Sequence, residues 1–249
     1  VDDRLSLGGR MKRYEKIVAD LQPNTPLIIR LDGRAFHTFT RGMEKPFDTE
    51  FMSMMNHVAL GLVNEIQNSR LAFVQSDEIS ILVYDGLESD TWFGNDIQKI
   101  TSVSSSLASA LAMLWNQENK LKEGVPIVFD SRVFPLPLKD VANYFVWRQM
   151  DWERNSLQMF ARSLYSHKEM HMKNREQLHQ MLFEKGKNWN NLPIPLRRGR
   201  CAVRKPTKIM VDNEHYSGEV TRNKWMIDFL IPIFTKEPEY IQNELKDGV

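Results

Sequence analysis

The sequence predicts an α+β fold, an antiparallel sheet with two helices on one face, followed by a long helix and a C-terminal helical and β appendage. Three observations carry this. Short apolar runs of strand length occur near residues 26–31, 71–83 and 126–129; two stretches repeat apolar residues at helical spacing; and the order is strand, helix, hairpin, helix, strand. That order is the ferredoxin-like one, in which both helices cover one sheet face and the other is free for a ligand.

Pro26-Leu-Ile-Ile-Arg-Leu31 runs into Asp32-Gly33, a buried strand ending in a tight turn. Asp48 is placed to cap a helix on which Phe51, Met54, Met55, Val58, Leu62 and Ile66 share one side. The arms Leu71–Val74 and Ile79–Val83 flank the polar Gln75-Ser76-Asp77-Glu78, so a hairpin is expected with those residues at its tip. Ile100, Val103, Leu107, Leu111 and Leu114 mark the second helix, and Pro126–Phe129 starts another strand. Residues 1–137 are thus read as the sandwich. Residues 138–249 hold a long helix, from about Leu138 to about His167, and an appendage packed on the sandwich as part of one structural unit.

Composition narrows the function classes. The 249 residues are 42% hydrophobic, enough for a real core, and 33 basic against 32 acidic side chains leave no global field to draw in nucleic acid. RNA contacts must therefore use a local patch. One cysteine, Cys201, excludes a disulfide framework or thiolate cluster and suits a reducing, cytoplasmic setting. No apolar run approaches the roughly 18 residues of a membrane helix, and the charged start Val1-Asp2-Asp3-Arg4 is unlike a signal peptide.

Asp32 at a strand end and Asp77 with Glu78 at a neighbouring hairpin tip bring carboxylates together. Such a cluster repels itself unless a cation neutralises it, and Mg²⁺ favours one or two carboxylates with waters and phosphates. Gly33 permits a sharp turn, after which the amides of Arg34, Ala35, Phe36 and His37 are placed to donate to a triphosphate. An ordinary Asp-Gly turn and a solvated hairpin tip account for the same residues. A haloacid-dehalogenase-type phosphatase would need a second aspartate where Arg34 stands.

At these residues a family pattern emerges. Arg30-Leu31-Asp32-Gly33-Arg34-Ala35-Phe36-His37 with Glu44-Lys45-Pro46-Phe47-Asp48 resembles the first motif of the tRNA(His) guanylyltransferase family. Gln75-Ser76-Asp77-Glu78-Ile79-Ser80 is similar to its second motif, Tyr144–Asp151 to its long-helix motif, and Leu192-Pro193 through Arg198-Gly199 to a weaker fourth. Leu7-Gly8-Gly9-Arg10-Met11-Lys12-Arg13-Tyr14-Glu15 resembles the bacterial-type relatives. Glu153-Arg154-Asn155-Ser156 stands where the eukaryotic enzymes carry His-Ile-Asn-Asn.

The resemblance implies that residues 1–137 are a polymerase-like catalytic palm. Asp32, Asp77 and the Gly33 carbonyl would bind two Mg²⁺ ions, with Glu78 as a supporting catalytic carboxylate. It further implies ATP and GTP as substrates: a triphosphate activates the 5′-monophosphate of tRNA, and the 3′-hydroxyl of an incoming nucleoside triphosphate attacks it. Gly33 to His37, Lys45, Ser76 and Lys99 are the expected nucleotide contacts. Arg30, Asp151, Asn155, Arg197, Arg198 and Arg200 are the expected tRNA contacts. Repair of 5′-truncated tRNA by a homotetramer is the function implied; addition of one guanylate to tRNA(His), or a non-catalytic RNA-binding relative, are the alternatives. A nucleotide cyclase on the same palm has no feature here beyond the paired carboxylates.

Arg148, Asp151 and Asn155 fall at i, i+3 and i+7, a polar stripe along the long helix, which a solvated salt-bridged face also explains. Between Lys185 and Val211 there is no acidic residue but eight basic ones, Lys185, Lys187, Arg197, Arg198, Arg200, Arg204, Lys205 and Lys208. This is the expected RNA patch, with Trp189 available for stacking. His167, His171 and His179 read as surface histidines rather than a zinc site.

Overall fold

The computed structural model describes residues 6–14, 21–22, 24–84, 91–213 and 216–246. The charged start at Val1–Arg4 and the motif residue Glu15 lie outside these. In chain order the main elements are α1 (Leu7–Tyr14), β1 (Leu27–Gly33), α2 (Phe36–Phe39), α3 (Thr49–Glu65), β2 (Ser69–Gln75), β3 (Glu78–Val83), α4 (Ile97–Asn119), β4 (Phe129–Pro135) and α5 (Val141–Arg162). Then follow α6 (His167–Met170), α7 (Arg175–Glu184), α8 (Ile194–Arg198), β5 (Arg200–Asn213), β6 (Tyr216–Asp228) and α9 (Glu239–Gln242).

Among the described residues the sheet has six strands in the order β4-β1-β3-β2-β5-β6, each pairing antiparallel. Its first four strands have the ferredoxin-like order. Alternation along β1 sends Leu27, Ile29 and Leu31 to the α3/α4 side and Ile28, Arg30 and Asp32 to the other. Asp48 caps α3 by accepting from the Phe51 amide at 2.8 Å, and Asp96 caps α4 through the Lys99 amide at 3.0 Å. On α4, Ile100, Ser104, Ala108 and Ala112 recur every four residues and are buried. Small residues there let the helices approach: a Cβ on Gly61 of α3 would lie 2.6 Å from Leu111 Cδ1.

The second sheet face is not left open along its length. Tyr144 and Phe145 of α5 pack there on Ile28, Phe73, Leu82 and Phe134, joined by Phe234 and Ile241 from the C-terminal segment. The appendage is also more than short β pieces. β5 and β6 form a long hairpin that extends the central sheet through Ala72↔Ala202 and Phe73↔Cys201. No helix among the described residues is long and apolar enough to cross a membrane.

Candidate active site

Strand register builds the site. Asp32 lies opposite Glu78 on β3 and Asp130 on β4, and all three point to the α5 side. One residue pair deeper, Arg30 lies between Ser80 and Arg132. An acidic row at the strand ends therefore sits beside a row containing two arginines. The turn linking β2 to β3 is only Ser76-Asp77, with Ser76 at φ 45°, and the Gly33 amide donates to the Asp77 carbonyl at 3.0 Å. This bond fixes the hairpin tip to the end of β1. Gly33 is needed for packing, since a Cβ there would fall 2.3 Å from the Phe36 ring.

The two expected carboxylates differ in setting. Burial pushes the Asp77 carboxyl up, and the charges of Asp32 and Asp130 push it further, a like-charge arrangement that a cation would relieve. Glu78 is buried and engaged by arginines. Arg148 donates Nε to its Oε1 at 2.7 Å and Nη2 to its Oε2, and Arg30 Nε lies 3.7 Å from Oε2 and 3.0 Å from Asp32 Oδ2. Gln75 and Ser80 also donate to Glu78 Oε1. Glu78 therefore organises the guanidinium groups at the groove wall. Among the described residues no group of three or more His, Cys, Asp or Glu is assembled to hold a metal. The donors available beside the Gly33 turn are two carboxylates and a backbone carbonyl, a hard oxygen set that suits Mg²⁺ sharing phosphate and water ligands.

Three cavities meet at the hairpin tip. The largest, about 740 Å³, lies between the acidic row, α1 and α5; Arg30, Asp32, Asp77, Glu78, Arg148, Asp151 and Asn155 line it. Arg132, Trp147, Arg154, Gly8, Gly9 and Lys12 line it too. Helix α1 is held over this groove by Asp140, which accepts from Tyr14 Oη at 2.6 Å and pairs with Arg10 at 3.2 Å. The second, about 330 Å³, is the turn itself, lined by Gly33, Ala35, Phe36, His37, Thr40, Phe51, Ser76 and Asp77. The third, about 80 Å³, continues under α3 past Lys45, Pro46, Phe47, Met52, Trp152 and Arg200, and shares Thr40, Phe51 and Ser76 with the second. Arg34 is exposed beside the turn, and its amide, expected to face a triphosphate, instead donates to the Val128 carbonyl at 2.8 Å, which ties the turn to the start of β4. Lys99 sits in the first turn of α4, exposed, and lines none of these cavities.

The polar stripe of α5 is one cluster: Asp151 accepts from Arg148 at 3.1 Å, from Asn155 at 3.3 Å, and from Arg154. The basic segment does not form the single patch expected. Arg200 is only 1% exposed, donating Nε to Asn56 and Nη2 to the Met52 carbonyl at 3.3 Å, so it does not reach the surface. Its strand position under α3 puts it in the core. Trp189 is likewise buried, donating to Ser156 Oγ at 3.0 Å in a small core with Leu157 and Leu182, and is not free to stack on a base. Arg197 and Arg198 brace loops by donating to the Leu192 and Ile231 carbonyls. Lys205 and Lys208 pair with Asp228 and Glu219. His167 and His171 are exposed, and His179 packs edge-on to Trp189.

Sequence reading missed Asp130 and Arg132, whose signal is the alternation of β4 and its register with Asp32, and α1, whose glycine at position 8 lets the helix approach Trp147.

Comparison with known proteins shows the family. A family model described as tRNAHis guanylyltransferase matches residues 8–137, more than half of the chain. A solved bacterial tRNA(His) guanylyltransferase (Thg1)-like protein in complex with ATP superposes with a TM-score of 0.81 at 37% identity, covering 97% of this chain and 99% of that one. A second such protein, in complex with GTP, gives a TM-score of 0.72 at 34% identity over 96% of this chain and 98% of that one. The probable tRNA(His) guanylyltransferase of Drosophila melanogaster is 30% identical over 74% of this chain and 68% of its own length. The chain therefore belongs to the tRNAHis guanylyltransferase family of nucleotidyltransferases.

Proposed function

We propose that this protein adds nucleotides in the 3′-to-5′ direction to the 5′ end of tRNA, with template-directed repair of 5′-truncated tRNA as its main task. One observation carries the reading: Asp77 lines both the turn cavity and the large groove, so two phosphorylated substrates can meet at it. Joining two polyanions requires their reacting centres to be oriented at one charge-neutralising point.

The nucleoside triphosphate, ATP or GTP, takes the turn cavity. Its phosphates face the amides of Ala35, Phe36 and His37, with Ser76 beside them, and its base extends toward the apolar cavity under α3, where Lys45 lies. The tRNA 5′ end takes the groove, where Arg30, Arg132 and Lys12 offer positive charge and Asn155 a neutral donor; Arg148, fixed by Glu78 and Asp151, shapes the wall. Asp32, Asp77 and the Gly33 carbonyl are the groups to hold two Mg²⁺ ions. When bound, magnesium would neutralise phosphate oxygens and favour attack by the 3′-hydroxyl. Repair is favoured over single guanylate addition by Glu153-Arg154-Asn155-Ser156. Its Asn155 faces the groove, while Glu153 lies 3.8 Å from Arg175 and Ser156 is buried against Leu196.

The buried single cysteine suits a cytoplasmic protein, and the family resemblance suits a homotetramer. Light scattering checks the latter, a monomer at working concentration being the contrary result. The activity is tested with magnesium, ATP, GTP and a 5′-monophosphorylated tRNA lacking its first nucleotide, alongside intact tRNA(His). Template-matched extension of the truncated tRNA supports repair; extension of tRNA(His) alone supports guanylate addition instead.

A further inference from the structure

Among the described residues three buried side-chain polar atoms have no hydrogen-bond partner, and two of them, Trp152 Nε1 and Gln75 Oε1, belong to residues that line the large groove. Gln75 ends β2, and its amide nitrogen donates to Glu78 Oε1 at 2.9 Å, which leaves the carbonyl oxygen as the unpaired end. Trp152 sits on α5 with its ring 6.2 Å from that of Phe47, which holds the indole between the groove and the cavity under α3. Burying a donor and an acceptor without partners is costly, so a groove that keeps one of each calls for a ligand group that both accepts and donates. A phosphate oxygen would satisfy the indole alone; a hydroxyl satisfies both.

The position of the pair selects the hydroxyl. In the site proposed above the phosphates lie in the turn cavity and the base under α3, while the 3′-hydroxyl must reach a tRNA 5′ phosphate in the groove. The sugar therefore stands where the base cavity meets the groove; Ser76 and Trp152 belong to both walls, and Gln75 is next to Ser76 in the chain. Resting on that nucleotide site, we infer that Trp152 and Gln75 are specificity-determining residues that read the ribose 2′-hydroxyl of the incoming nucleoside triphosphate. The hydroxyl accepts from the Trp152 indole N–H and donates to the Gln75 carbonyl. A 2′-deoxynucleotide leaves both groups unpaired and is bound more weakly, so the site selects ribonucleotides. The contact is to the sugar and not to the base, which stays free to be chosen by the template.

Affinities of the whole protein for GTP, 2′-dGTP and 3′-dGTP, measured with magnesium by equilibrium dialysis, test this for the native chain, for Trp152→Phe and for Gln75→Met, with circular dichroism as the folding check. Trp152→Phe removes the donor and keeps an aromatic ring; Gln75→Met removes the acceptor and keeps the length. The native protein is expected to bind GTP about tenfold more tightly than 2′-dGTP, and 3′-dGTP within about twofold of GTP. Each variant should bind 2′-dGTP within about twofold of the native protein and shrink the GTP advantage to about threefold. Equal native binding of GTP and 2′-dGTP, an equal penalty for 2′-dGTP and 3′-dGTP, or an undiminished gap in either folded variant overturns the assignment while leaving the nucleotide site in place. Failure of the native protein to bind any nucleotide removes both readings, and the native-protein comparison of 2′-dGTP with 3′-dGTP decides the matter if neither variant folds.

Discussion

Replacing Arg148 by Met should destabilise the protein through Glu78 rather than through lost volume. Arg148 and Glu78 are both buried, with side chains 7% and 9% exposed, and the guanidinium makes two hydrogen bonds to the carboxylate. Removing one partner of such a pair leaves a buried, uncompensated charge and costs about 3–5 kcal/mol. For a chain of this size that corresponds to a fall in Tm of roughly 6–20 °C. The remaining groups, Arg30 at 3.7 Å, Gln75 and Ser80, offset part of the penalty and favour the lower half of that range.

Burial pushes Glu78 up even with Arg148 present, and without that cation its folded pKa rises further. A raised folded value means stability that is present below the unfolded pKa and lost as pH rises through the folded one. Arg148→Met should therefore show its deficit above about pH 5 and lose most of it near pH 4. Thermal unfolding of Arg148→Met, Glu78→Gln and the double variant across pH 4–8 is the assay. The double variant should recover at least half of the loss in Arg148→Met. A pH-independent deficit that simply adds in the double variant would refute the uncompensated-charge argument and point to lost packing.

Other consequences can be checked separately. Asp77→Asn should abolish nucleotide incorporation yet raise stability slightly in magnesium-free buffer above about pH 5, because burial and repulsion by Asp32 and Asp130 raise the native carboxyl; adding magnesium should stabilise the native chain more than the variant in a melting experiment. Gly33→Ala should cost about 1–3 kcal/mol in chemical denaturation, since its Cβ would meet the Phe36 ring, and should weaken triphosphate affinity as the turn shifts. Trp189→Ala should cost about 3–5 kcal/mol by opening a cavity beneath α7; a selective loss of tRNA affinity in a stably folded variant would instead return Trp189 to the RNA surface.

The legible parts of the fold were those in which one physical signal dominated. β1 is a continuous apolar run because both its faces are covered, and α3 announces itself through Asp48 and a single apolar side. The site was legible where turn chemistry is local, at Asp32-Gly33 and Ser76-Asp77. What escaped depends on tertiary partners. β5 and β6 carry exposed, charged residues along much of their length, so their alternation is faint, and only pairing with β2 fixes them in the sheet. Asp130 gains its meaning from standing opposite Asp32 across a register that no window of β4 reveals. Arg200 and Trp189 were misplaced for a related reason: residue type says surface and RNA, while the helices packed above them say core.

The central claim is that Asp77 unites a nucleotide cavity with a tRNA groove in a 3′-to-5′ addition site. Its most direct test follows the 5′ end of a monophosphorylated, one-nucleotide-truncated tRNA on a sequencing gel with ATP, GTP and magnesium, using the native chain and Asp77→Ala. The account predicts template-matched extension by the native protein and none by the variant at equal fold content; extension by Asp77→Ala at the native rate, or no extension of any tRNA by a native protein that binds both substrates, would contradict it.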